Sequence, residues 1–115
     1  MRISDWIPLG AVPSVEPRAL AERLASPARP QIVDVRTRAE YEAGHIDGAV
    51  SAPITSLASL LDGLGLDRGR PVVAICLSAH RSIPAVRLLR ERGFSDVAQL
   101  AGGMLAWRKA GLPVG

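Results

Sequence analysis

The run Pro71-Val72-Val73-Ala74-Ile75-Cys76 constrains this chain more than any other stretch. It is short, apolar and rich in β-branched residues, with no polar residue at alternate positions. Such a strand is buried on both faces, as strands inside a parallel sheet are. Beyond it, Ile83-Pro84-Ala85-Val86-Arg87-Leu88-Leu89-Arg90 carries apolar residues at helical spacing. Ser82 fits the N-cap, and Pro84 falls in the first turn, where a missing N–H costs nothing. The single cysteine of the chain therefore stands where a buried strand ends and a tight loop enters a helix.

That position has chemical consequences. The free N–H groups of the loop and of the first helical turn point toward one spot, and the helix dipole adds partial positive charge. Arg81 adds a full charge. A thiolate is stabilised there, so the thiol pKa of Cys76 is expected to be lowered and its sulfur nucleophilic. The same donors can hold an oxyanion or a bound sulfur atom. The competing reading is a structural cysteine at the end of a core strand, since free cysteine is among the most buried residue types.

The chain's 115 residues suffice for one domain with one core. A single domain over 1–115 is expected, its core spanning roughly 12–113 and residues 1–11 forming a lead-in. Aromatic residues are only 3% of the chain, so the core must be mostly Leu, Val, Ile and Ala. One cysteine can form neither an internal disulfide nor a peroxidatic and resolving pair, so any acceptor thiol comes from outside the chain. This suits a reducing compartment. The net charge of +3 comes from scattered arginines rather than a Lys/Arg block interleaved with aromatics, which argues against nucleic-acid binding. No stretch approaches a membrane span, and Asp5 and Pro8 break the N-terminus before an apolar signal region develops. Cytoplasm is the expected location, and no metal or cofactor is expected.

Taken in order, residues 1–13 read as a loosely structured lead-in in which Trp6 and Ile7 can lie on the surface. Ser14 precedes a short capped helix over Val15–Leu24. Gln31–Arg36 reads as a strand with a polar tail. Thr37 can cap a helix over Arg38–Ala43, with Gly44 as its C′ residue. His45–Pro53 reads as a turn and a short strand, and Ile54–Leu61 as a weak helix. The helix from Ser82 stops at Gly93. Phe94–Leu100 supplies a last strand, and Gly102–Gly111 a helix opened and closed by glycine. Strands alternating with helices predict a parallel sheet covered on both faces, with the site beyond the C-terminal strand ends. Asp34–Arg36 and Cys76 can converge on one such rim.

Four blocks then resemble a known family. They are Asp34-Val35-Arg36 with Glu40-Tyr41; Gly44-His45-Ile46-Asp47-Gly48-Ala49; Cys76-Leu77-Ser78-Ala79-His80-Arg81-Ser82; and Gly102-Gly103-Met104-Leu105-Ala106-Trp107 with Ala110-Gly111-Leu112-Pro113-Val114. In this order the chain resembles a single-domain rhodanese, of the rhodanese-like sulfurtransferase family. The resemblance implies an α/β fold with a central parallel sheet of about five strands and helices on both faces. It implies that Cys76 takes a sulfane sulfur from a donor such as thiosulfate, becomes a persulfide, and passes the sulfur to cyanide or a thiol. The N–H groups from Leu77 through Ser78, Ala79, His80 and Arg81 to Ser82 would cradle the sulfur. Arg81 and Ser82 would hold the loop and steer the anion. Four residues separate Cys76 from Arg81, whereas cysteine phosphatases and the family's phosphatase and arsenate-reductase relatives use five, so sulfur transfer is favoured. The expected partners are a small-molecule sulfur donor, a thiol or cyanide acceptor and an acceptor protein, with the chain a monomer and neither nucleic acid nor membrane bound.

Two positions depart from the family pattern. Ala79 stands where glycine is common, and alanine does not take positive φ without strain. Leu77 replaces a common polar or basic residue and makes the cleft mouth more apolar, which leaves the natural donor open. A binding or regulatory module, or a sulfur carrier with little thiosulfate turnover, is the alternative on the same fold. Arg36 can bind substrate or form a partly buried pair with Asp34. Glu40 and His45 read as structural support, His45 otherwise as a general base, and His80 as a pH-sensitive residue of the mouth or simply an exposed one. Met104 and Trp107 read as core.

Overall fold

The computed structural model describes residues 7–9, 12–78 and 80–115; Trp6, with the rest of 1–6, residues 10 and 11, and Ala79 of the cysteine loop lie outside the described residues. Six strands of the described residues form one sheet: β1 (Ile7–Leu9), β2 (Val12–Val15), β3 (Gln31–Asp34), β4 (Val50–Ser51), β5 (Val72–Ile75) and β6 (Val97–Leu100). Their spatial order is β1-β2-β6-β5-β3-β4. The five from β2 to β4 are mutually parallel, and β1 alone runs antiparallel, against β2.

Among the described residues, five α-helices connect and cover the strands: α1 (Pro17–Leu24), α2 (Arg38–Glu42), α3 (Leu57–Leu60), α4 (Ser82–Glu91) and α5 (Gly103–Lys109). Alternation along β5 divides the core. Val72 and Ala74 join Leu57 of α3 and Ala85, Val86 and Leu89 of α4 on one face. Val73 and Ile75 join Leu20 of α1 and Met104 and Trp107 of α5 on the other. All four residues of β5 are buried, so the continuous apolar run is the signature of a strand with helices on both sides. Among the described residues no helix is long and apolar enough to cross a membrane.

Several local expectations need correction. Part of the lead-in is ordered, since Ile7–Leu9 pairs with Val12–Val15. Ser14 caps no helix. It and Val15 are in β2, where the ladder to Gln99 and Leu100 claims them. The helix starts at Pro17, and Glu16 before it is extended (φ −69°, ψ 150°), as a residue preceding proline prefers to be. Ser82 is not the N-cap of α4 but its first helical residue, with Arg81 at the cap. The predicted strand over Phe94–Leu100 shortens to Val97–Leu100, with Phe94 buried in the α4 face instead. The helix over Ile54–Leu61 is one turn, Leu57–Leu60, followed by a 3-10 turn at Leu61–Gly63. Thr37 does cap α2 as expected, in a reciprocal capping box with Glu40.

Candidate active site

β3 and β5 are parallel neighbours, so Asp34 and Ile75 are paired and their C-terminal ends open on the same rim. Cys76 follows β5 directly and is 1% exposed, at the floor of the loop. Its backbone is clamped from one side by the start of α5. The Met104 N–H donates to the Cys76 carbonyl at 2.8 Å, and the Leu105 N–H to the Leu77 carbonyl at 3.0 Å. This close approach requires the glycine before them. A Cβ on Gly103 would lie 2.5 Å from the carbonyl oxygens of Cys76 and Leu77, and Gly103 has φ +61°.

From the other side the Arg81 backbone N–H donates to Cys76 Sγ at 3.1 Å. The Arg81 guanidinium holds both oxygens of Glu40, Nη1 to Oε1 at 2.7 Å and Nη2 to Oε2 at 3.1 Å. Its charge also interacts favourably with the Cys76 sulfur. Glu40 is fixed in turn by α2, since its Oε1 accepts from the Thr37 N–H at 2.9 Å. The Arg81 hydrogen bond holds the Glu40 carboxyl down at about 2, opposed by partial burial and helped by Thr37. The same pair raises the Arg81 guanidinium above its ordinary range, with Glu40 the largest cause. Arg81 thus stays charged at every working pH, with its charge shared between a carboxylate and the sulfur.

The remaining sequence candidates divide. Leu77 is half-buried and packs on the α5 face, while Ser78 and His80 are exposed on the loop. Ser82 is fully buried and turns its hydroxyl inward, donating to Gln99 Oε1 at 2.6 Å. Arg36, read from sequence either as a substrate contact or as the partner of Asp34, is 1% exposed. Its guanidinium binds Asp34 Oδ2 at 2.7 Å and the Gly44 carbonyl at 2.8 Å. An arginine buried this deeply needs its carboxylate, and the two tie the end of β3 to the turn after α2. His45 stacks on Tyr41, ring centroids 3.8 Å apart, with Nδ1 2.8 Å from the Tyr41 carbonyl. Nothing in the strand pattern marks Gln99, although a glutamine inside an apolar strand is itself a sign of a buried hydrogen-bond network.

Two surface grooves, of about 390 and 430 Å³, run along α1 and α5, one beside Pro17 and Lys109 and the other beside Leu24 and Trp107. Neither is lined by a residue of the cysteine loop. The loop places the Arg81 N–H on the Cys76 sulfur. A thiolate held by a backbone N–H and a guanidinium can act as a nucleophile and then carry a transferred group on its sulfur.

The sequence model of the rhodanese-like domain matches residues 16–110. The chain is 48% identical over 85 residues to an HTH-type transcriptional regulator, Rv0324, of Mycobacterium tuberculosis; the match covers 72% of this chain and 36% of the regulator. It is 40% identical over 80 residues to the thiosulfate sulfurtransferase GlpE of Shewanella oneidensis, covering 70% of this chain and 77% of that protein. Among solved structures, the rhodanese-like domain of the Alr3790 protein from Anabaena superposes with a TM-score of 0.80 at 35% identity, covering 89% of this chain and 77% of that one.

Proposed function

This chain belongs to the rhodanese-like domain family, and from that premise we propose that it is a sulfurtransferase working through a persulfide on Cys76. The observation that carries the proposal is the Arg81 N–H donated to Cys76 Sγ at 3.1 Å, at the rim where β3 and β5 end. In the first step the Cys76 thiolate attacks the outer sulfur of thiosulfate or a similar donor. A new S–S bond forms as the donor's own bond to that sulfur breaks, and sulfite leaves with the bonding pair. The terminal sulfur of the persulfide is then anionic and lies among the loop N–H groups. In the second step cyanide or a thiolate attacks this sulfur, and Cys76 leaves as the thiolate. Two half-reactions on one sulfur predict ping-pong kinetics.

Arg81 and Glu40 hold the loop, and Asp34, Arg36 and His45 support the rim behind it. The thiosulfate assignment draws on the GlpE relative. A cytoplasmic monomer serving a small donor and a thiol or protein acceptor completes the proposal. The similarity to a transcriptional regulator favours a second reading, a binding or regulatory module on the same fold. Thiocyanate formation from thiosulfate and cyanide separates the two. The enzyme reading expects turnover in the wild type and none in Cys76→Ser. Wild-type turnover no higher than that of Cys76→Ser would leave the module reading.

A further inference from the structure

Gln99 lies in β6 near the middle of the sheet, beside Ser14 of β2 and Ala74 of β5. It is 2% exposed. Period-two alternation puts it on the same face as Val97, toward α4, where an apolar side chain would otherwise pack. Its amide is satisfied in both directions. Oε1 accepts the Ser82 hydroxyl at 2.6 Å, and Nε2 donates to the Ser14 hydroxyl at 3.1 Å. Ser82 is the first residue of α4, and the residue before it is Arg81, whose N–H holds Cys76 Sγ. A buried chain of contacts therefore runs from β2 through Gln99 to the residue adjoining the sulfur's donor.

We infer that Gln99 is a positioning residue for Cys76: through Ser82 it fixes where α4 begins, and so where the N–H that stabilises the thiolate points. The inference rests on the reading of Cys76 as an activated nucleophile. An amide suits the task because it can accept from one hydroxyl and donate to another without carrying a charge into the core. The short Ser82 bond commits the hydroxyl proton inward. The hydroxyl thus acts as a peg between helix and sheet.

The test is a pH titration of the Cys76 thiolate by its ultraviolet absorbance, with Cys76→Ser as the blank, because the chain has one cysteine and the signal is unambiguous. Gln99→Leu and Ser82→Ala cut the same bond from opposite ends, and melting curves confirm that each variant is folded. The expected result is a midpoint raised by about half a pH unit or more in each, with no further rise in the double variant. A folded variant with the wild-type midpoint overturns the inference, and if Gln99→Leu does not fold, Ser82→Ala decides. A wild-type midpoint no lower than an ordinary thiol's, about 8.5, overturns the premise and the inference with it.

Discussion

A methyl group on Gly103 would sit 2.5 Å from the carbonyl oxygens of Cys76 and Leu77, closer than carbon and oxygen approach. The conflict is with backbone, so no side chain can move to relieve it. Gly103→Ala must therefore push α5 away from the loop or force the loop off the Met104 and Leu105 N–H groups. The expected cost is about 2–3 kcal/mol of stability, from the positive φ and the clash together, with a loss of sulfur transfer beyond what the lost stability explains. Denaturant unfolding and thiocyanate assays on the same samples check this; an unchanged unfolding midpoint would contradict it. Single residues are also where sequence reading was strongest and weakest. Cys76 at a strand–loop–helix junction and the Thr37 cap were legible because both are local patterns. Ser82 was misassigned because the N-cap rule sees only neighbours along the chain, while its partner Gln99 arrives from another strand.

At the scale of elements, the end of β3 carries a buried ion pair. Asp34 and Arg36 are both buried and joined at 2.7 Å, and Arg36 reaches on to the Gly44 carbonyl. Asp34→Asn would leave the guanidinium without its counter-charge in the protein interior, at an expected cost of about 3–5 kcal/mol. A denaturation midpoint that falls by this much, with the KM for the sulfur donor unchanged in the folded fraction, is the predicted outcome. A raised KM at unchanged stability would restore Arg36 as a substrate contact. The strand–helix alternation was readable because β5 is an unbroken apolar run and the stretch after it keeps helical apolar spacing. The boundary between β2 and α1 was not: Ser14 and Val15 suit a helix start by local preference, and only the parallel ladder to Gln99 and Leu100 makes them strand.

For the whole molecule, Glu40 couples the loop to folding and makes stability depend on acid. Its carboxyl is held at about 2 against an ordinary 4.5. The unfolded chain therefore takes up this proton first as pH falls. The contribution of the pair is complete above about pH 4.5 and is lost progressively as pH drops toward 2. Wild type is expected to lose stability more steeply through this window than Glu40→Gln, which has no proton to take up there. Equal slopes in urea midpoint against pH would contradict the account. The order β1-β2-β6-β5-β3-β4 brings residues far apart in sequence, from Thr37 to Leu105, around one sulfur atom. The most direct test of that convergence is the intact mass of the protein after incubation with thiosulfate, beside Cys76→Ser. The account predicts a gain of one sulfur atom, about 32 Da, in the wild type only, removed by cyanide or a thiol. A folded wild type that gains no mass from thiosulfate or from an organic persulfide would contradict it.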